Sequence, residues 1–227
     1  MKKLILSLLI LAFAGGSAKS QELFTGKVTY RHYLQNPDPS DVTFASITVD
    51  FLASAKVERM EYSGPLQLSY PQVSITTDTT KYQSYNTSPN IFFCWSQPIP
   101  GIDKMDLIPT NETATIAGYT CKKSVMVTQA SNGNTLVSYF WLAESLAIRQ
   151  PRFDAAPMLT RCPLKIVDIV EDCNGHIVNT KTREAVAVEA ISPATNPLTL
   201  LAGKTIKPAS QAAISAAAGA TNVTLKP

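Results

Sequence analysis

From residue 24 to residue 34 apolar and polar positions alternate. Phe24, Gly26, Val28, Tyr30, His32 and Leu34 fall on one face, and Thr25, Lys27, Thr29, Arg31 and Tyr33 on the other. A two-residue period marks a half-buried strand. Asn36-Pro37-Asp38-Pro39-Ser40-Asp41 then reads as a turn-rich loop. Ala45, Ile47, Val49 and Phe51 share a face in a second strand, and 56–62 forms a third after a tight connection at Ser54-Ala55. Gly64-Pro65 breaks the chain. Short strands at 66–70 and 73–77 flank Pro71, a strand at 81–86 follows, and 90–95 makes another, dense in aromatics. A proline-rich loop spans 97–109.

The second half is patterned more sharply. A strand at 113–116 leads into Ala117-Gly118-Tyr119-Thr120-Cys121-Lys122-Lys123, continued by Val125, Met126 and Val127. Ser131-Asn132-Gly133-Asn134 is a hairpin signal, and 136–142 returns. On that return Tyr139 and Trp141 point one way and Phe140 the other, so both faces are apolar, as in a sandwich centre or a curved sheet. The chain loops over 144–163, enters a strand at 164–170, and turns at Cys173-Asn174-Gly175. A long strand at 176–190 carries Val178, Thr180, Thr182, Val186 and Val188 on one side. Beyond 191 the character changes: Pro193, Pro197 and Pro208 interrupt the chain, and the Ala-rich stretch 210–218, bounded by Gly219, predicts a short helix. The pattern therefore predicts an all-β domain over 21–191 and a Pro/Ala-rich tail with a short helix over 192–227.

The first residues change the picture of where the chain works. Lys2 and Lys3 precede an apolar run at 4–14, followed by small residues to Ser20. This order predicts a secretory signal peptide over 1–20, cleaved after Ser20 or else Gln21, and a periplasmic or secreted protein. The apolar run is shorter than the roughly 20 residues a membrane span needs. No Cys at the junction offers a lipid anchor. Lys2, Lys3 and Lys19 leave with the segment, so 17 basic residues then balance 17 acidic ones. A balanced chain has no electrostatic footprint for nucleic acid. About 200 residues remain, enough for one domain with a real core.

Export also decides how the four cysteines read. Cys94, Cys121, Cys162 and Cys173 contain no C-x-x-C pair, so structural disulfides are the expectation. A strand between Cys162 and Cys173 holds those two too far apart to bridge. The meander sets Cys121 and Cys162 at one end of the sheet, which favours a Cys121–Cys162 bridge, with Cys94–Cys173 as a second.

Reactive signatures are missing. His32 and His176 are the two histidines, and neither has a partner at metal-ligand spacing. There is no G-x-S-x-G elbow and no phosphate-gripping glycine loop. No catalytic residue, metal or cofactor is expected. The aromatic strands instead suggest a face lining an apolar cavity, with Phe93, Trp95, Tyr139 and Trp141 as candidate lining residues.

Ile116-Ala117-Gly118-Tyr119-Thr120-Cys121-Lys122-Lys123-Ser124, followed by a hairpin and Tyr139-Phe140-Trp141-Leu142-Ala143-Glu144, resembles the GLPGLI family of exported proteins of Bacteroidetes-type bacteria. The opening Phe24-Thr25-Gly26-Lys27-Val28-Thr29-Tyr30 is similar to that family's first strand. Where the glycine-leucine-proline motif falls, the chain has Ala155-Ala156-Pro157-Met158-Leu159-Thr160, keeping the proline without the glycines. The resemblance implies a strongly curved antiparallel sheet or incomplete β-barrel, related to the half-open barrels of periplasmic lipoprotein carriers. It transfers no catalytic residues. The expectation is a non-enzymatic envelope protein that binds an apolar small molecule, a lipid or an acylated protein. The alternative is an interaction module docking an envelope protein by a sheet edge or the tail, and a hydrolase with an unrecognised site comes last.

Overall fold

The computed structural model describes residues 22–35, 42–62, 71–96, 106–129, 133–153, 158–192 and 196–210. The predicted signal peptide, the strand at 66–70 and most of the Ala-rich stretch lie outside the described residues. Among the described residues, twelve strands form one sheet. They are β1 (Gly26–Gln35), β2 (Val42–Phe51), β3 (Ala55–Tyr62), β4 (Pro71–Thr77), β5 (Lys81–Tyr85) and β6 (Ser88–Trp95), then β7 (Ile108–Ile116), β8 (Tyr119–Gln129), β9 (Thr135–Ala147), β10 (Arg161–Glu171), β11 (Ile177–Ala190) and β12 (Thr205–Pro208). Their spatial order is β12-β6-β5-β4-β3-β2-β1-β11-β10-β9-β8-β7. Every neighbouring pair is antiparallel except β12 with β6, which is parallel. The sheet is open and curved and does not close into a barrel.

Two meanders account for this order. From β1 to β6, and again from β7 to β11, each strand lies beside its sequence neighbour. β11 then pairs with β1 and joins the halves, with Gly26 opposite Ala190 and Gln35 opposite Thr180. Gly26 is required at that seam: a Cβ there would stand 2.0 Å from the Phe24 ring and 2.7 Å from the Glu189 carbonyl. The β7–β8 turn uses Ala117 at φ 48° and Gly118 at φ 83°, left-handed values that favour glycine at the second position.

The strand at 176–190 does not keep one face throughout, as its sequence pattern predicted. Thr29 pairs with Ala187 and Tyr30 with Ala185, leaving Val186 as the extra residue of a β-bulge. Val186 is turned outward, 51% exposed, while Val188 packs on the core beside Val28. One inserted residue reverses the alternation, because the side-chain period is two. β9 also runs further than its pattern predicted, to Ala147, and Leu146, Ala147 and Ile148 are buried.

Curvature follows from contacts across non-adjacent strands. Arg183 of β11 donates to Glu58 of β3 at 3.2 Å, although two strands lie between them. In a flat sheet those positions would be about 14 Å apart. The sheet therefore curls over the face that carries both. The principal core sits where it curls, with Val28, Tyr30, Ile47, Cys121, Cys162 and Leu164 each at most 2% exposed. The buried Tyr30 hydroxyl donates to the Pro163 carbonyl at 2.7 Å, linking β1 to β10 across β11.

The tail contributes to the sheet. A short 3-10 helix, Pro197–Leu201, is capped by Asn196 and lays Leu200 and Leu201 on a cluster of Leu52, Val57, Ile75 and Phe92. β12 then adds the parallel edge strand to β6.

Candidate functional site

The curled face of the sheet holds a trough of two adjoining chambers. Successive pairings place its residues: Glu58 lies opposite Ser74, Tyr30 opposite Ala185, Arg183 opposite Ile166, and Ile166 opposite Phe140. Paired residues point to the same side, so these side chains converge on one face. One chamber, about 330 Å³, is lined by His32, Met60, Tyr62, Asp168 and Lys181. The other, about 230 Å³, is lined by Phe51, Lys56, Glu58, Lys81, Gln150 and Leu159. Arg183, Phe140 and Ile166 border both.

Polar groups at the trough have unequal partners. Arg183 pairs with Glu58 and stands over the Tyr30 ring at 5.9 Å. Lys56 approaches Glu58 at 3.8 Å. Burial pushes the Glu58 carboxyl up, but Lys56, Arg183 and Lys81 together hold it down, at about 2. Burial, with Arg183 and Lys181 adding repulsion, lowers His32 to about 4, so its ring is neutral at pH 7. His32 Nδ1 and Gln150 Oε1 are buried without a hydrogen-bond partner in the structure. The His32 ring meets the Tyr62 ring edge-on at 6.4 Å.

One side of the trough is closed by a loop rather than a strand. After β9, Gln150, Pro151 and Phe153 are buried, and Arg149 pairs with Asp78 while donating to the Ala53 carbonyl at 3.0 Å. The Asp78 carboxylate also accepts from the Arg152 backbone at 3.0 Å. These contacts tie the loop to the β2–β3 and β4–β5 turns. A further cavity of about 310 Å³ lies beside the 3-10 helix, between Leu200, Lys204, Arg59 and Phe92.

The four aromatic residues expected to line a cavity do not come together. Phe93 pairs with Gln83 and Trp95 with Lys81, which puts both on the trough's face near its β5–β6 end. Phe93 packs there with Tyr85, ring centroids 6.1 Å apart. Tyr139 and Trp141 lie on the opposite face of β9, because Phe140 points into the trough. They sit under lysines: Lys123 is 4.7 Å from the Tyr139 ring and Lys165 is 5.4 Å from the Trp141 ring. Sequence reasoning missed the charged lining. The alternation Lys56, Glu58, Met60 on β3 was its available signal, since charge on the core-facing period of a strand is unusual.

All four cysteines are thiols in the structure. Cys121 and Cys162 are completely buried in the same core cluster, and burial raises both, Cys162 to about 12. Neither the expected Cys121–Cys162 bridge nor the expected Cys94–Cys173 bridge is formed. Cys94 lies on β6 and Cys173 in the turn after β10, with five strands between β6 and β11. The two histidines lie apart, His32 on β1 and His176 in the turn before β11. Ser138 Oγ donates a hydrogen bond to the Asp168 carboxylate at 2.6 Å. His176 serves its turn, with Asp172 accepting from the Asn174 and His176 amides at 2.8 and 2.9 Å. Among the described residues there is no group of three or more His, Cys, Asp or Glu that could hold a metal. No helix among them is long and apolar enough to cross a membrane.

No protein-family model matches the chain, and no curated protein matches it. Solved structures do. The structure of PNGF-II is similar at 20% identity and a TM-score of 0.52, covering 85% of this chain and 33% of that one. The complex of MucA and MucB from Pseudomonas aeruginosa is similar at 12% identity and a TM-score of 0.41, over 78% of this chain and 54% of that one. An outer-membrane lipoprotein-sorting protein domain from Vibrio parahaemolyticus follows at 9% identity and a TM-score of 0.33, over 78% of this chain and 89% of that one. The chain thus spans about a third of the length of PNGF-II and about half of the MucB-complex chain. At 20% identity the likeness to PNGF-II shows a shared fold and nothing further.

Proposed function

We propose that this chain is an exported, non-enzymatic protein of the cell envelope that binds an apolar ligand, a lipid or an acylated protein in the trough. The observation that carries this reading is the pair of adjoining chambers, about 330 and 230 Å³, both bordered by Phe140 and Ile166 on the curled face. Their size suits an acyl chain or small apolar molecule. Burying apolar surface there would stabilise a complex by about 25 cal/mol per Å². The segment 116–124 supports kinship with the GLPGLI family. Its Gly118 makes the β7–β8 turn, and its Cys121 is completely buried in the core. Native mass spectrometry and solvent extraction of purified protein test the binding, together with titration of a neutral apolar fluorophore. Empty protein that also fails to bind the fluorophore overturns the reading.

A second reading, docking of an envelope protein, is favoured by one separate feature. β7 is an exposed edge strand, and its Ile108 and Val127 of β8 are each 58% exposed. Unpaired edges recruit partner strands. An Ile108→Lys, Val127→Lys variant should lose a partner captured by this edge and keep any ligand held in the trough.

A further inference from the structure

The strand register shows what stands between the two chambers. Phe140 pairs with Ile166, and Ile166 with Arg183, so these side chains form one row across β9, β10 and β11. Directly paired residues point to the same face. All three border both chambers. On either side of the row the lining separates strand by strand. β1 gives His32 to the larger chamber and Tyr30 to the smaller, β3 gives them Met60 and Glu58, and β10 gives them Asp168 and Pro163. The chambers therefore follow one another along the strand direction, with the row lying transversely between them.

Arg183 carries that row on to the far wall. Its guanidinium stands over the Tyr30 ring at 5.9 Å and donates to Glu58 at 3.2 Å. β1 and β2 lie between β11 and β3, so the bridge runs obliquely across the trough. The two side chains are 24% and 15% exposed, so the pair is largely out of water. A hydrocarbon tail crossing here has two courses. It can lie on a charged guanidinium and strip the water that remains there, or it can push the guanidinium off Glu58 and leave a buried carboxylate without its arginine. Breaking a buried pair outweighs the burial of the few methylenes that would cross.

We propose, resting on the apolar-ligand reading above, that Arg183, held by Glu58, sets a length limit on the ligand: it divides the trough, and an occupant fills one chamber instead of spanning both. A cavity of about 150 Å³ holds the six carbons of benzene. On that scale the larger chamber, about 330 Å³, takes a chain of about thirteen carbons. The ligand class is then a compact apolar molecule or a short acyl chain. Methylenes beyond the limit stay in water and add nothing to binding.

The test loads the purified protein with neutral N-phenyl-1-naphthylamine and displaces it with straight-chain primary alcohols from hexanol to hexadecanol, each below its solubility limit. Uncharged alcohols keep headgroup electrostatics out of the comparison. Displacement should strengthen about fourfold with each added methylene, then level off by about thirteen carbons. An Arg183→Ala, Glu58→Gln double variant removes the bridge without leaving a carboxylate short of its arginine. Arg183→Met keeps the side chain's length and drops its charge. In each variant, checked for the parent circular dichroism spectrum, the rise should continue past the parent's break. A parent series that climbs unbroken to hexadecanol, or a break that stays at the parent's length in both variants, overturns the length limit and leaves the apolar reading standing. A parent protein that binds neither the probe nor any alcohol overturns both.

Discussion

Removing one oxygen atom from the core tests the account of how the sheet is held curled. Tyr30 is 2% exposed, and its hydroxyl donates to the Pro163 carbonyl at 2.7 Å. The β9–β10 register shifts on both sides of Pro163, so the hydroxyl satisfies a carbonyl where the ladder is irregular. In Tyr30→Phe the ring and its packing stay, and so does the Arg183 contact with the ring face. The carbonyl loses that donor. A buried acceptor left unsatisfied costs about 1–3 kcal/mol, and a chain of this size loses about 2–4 °C in Tm per kcal/mol. Urea unfolding followed by tryptophan fluorescence should show a lower midpoint at unchanged slope.

The pH dependence adds a second arm with a fixed sign. Burial, with Cys162 adding to it, raises the Tyr30 hydroxyl well above its ordinary value near 10. Above pH 10 the unfolded chain gives up a proton that the folded chain keeps, so the folded state binds more protons and stability falls as pH rises. Phenylalanine has no such proton. The gap between parent and variant should therefore be full below pH 10 and shrink above it. A variant within 0.3 kcal/mol of the parent at pH 7, a size too small for the about 1–3 kcal/mol expected, would refute the hydrogen bond's role. A gap that widens above pH 10 would refute the burial argument.

Other consequences are simpler to measure. Mass spectrometry after brief alkylation of folded protein should find Cys173, which is exposed, labelled first, and Cys121 and Cys162 unlabelled until denaturant is added; early labelling of the buried pair contradicts their packing. Leu164→Ala should cost about 2–5 kcal/mol in urea unfolding, because the side chain is completely buried, whereas Val186→Ala on the bulge should fall within about 0.5. The His32 ring should titrate near 4 by NMR, and because that lies below the unfolded value of about 6.5, its contribution is intact above pH 6.5 and lost as pH falls through 4; a midpoint above 6 would mean the ring is not buried beside Arg183 and Lys181.

Some of this was legible in the residues. The alternation at 24–34 and the Gly133 and Gly175 turns located β1 and two hairpins to within a few positions, because strand period and turn chemistry are local. The opposition of Phe140 to Tyr139 and Trp141 was equally clear. What local pattern could not supply was which face of β9 looks into the trough. That choice was made by the pairing of Phe140 with Ile166, and of Ile166 with Arg183, on strands distant in sequence. The same holds for Val186, whose bulge reverses the face of half of β11 without any glycine to announce it.

By itself, then, the amino-acid order determined most strand positions between β1 and β11, the all-β class, the curved open sheet expected from the family resemblance, and the placing of Cys121 and Cys162 in one region. Tertiary structure decided the rest. It joined β11 to β1, drew tail residues into β12, and brought Glu58 to Arg183 across two strands. The physical reason is range. Period and turn propensity act over a few residues, while the sign of charge inside a trough depends on which non-neighbouring strands the curl brings within hydrogen-bonding distance.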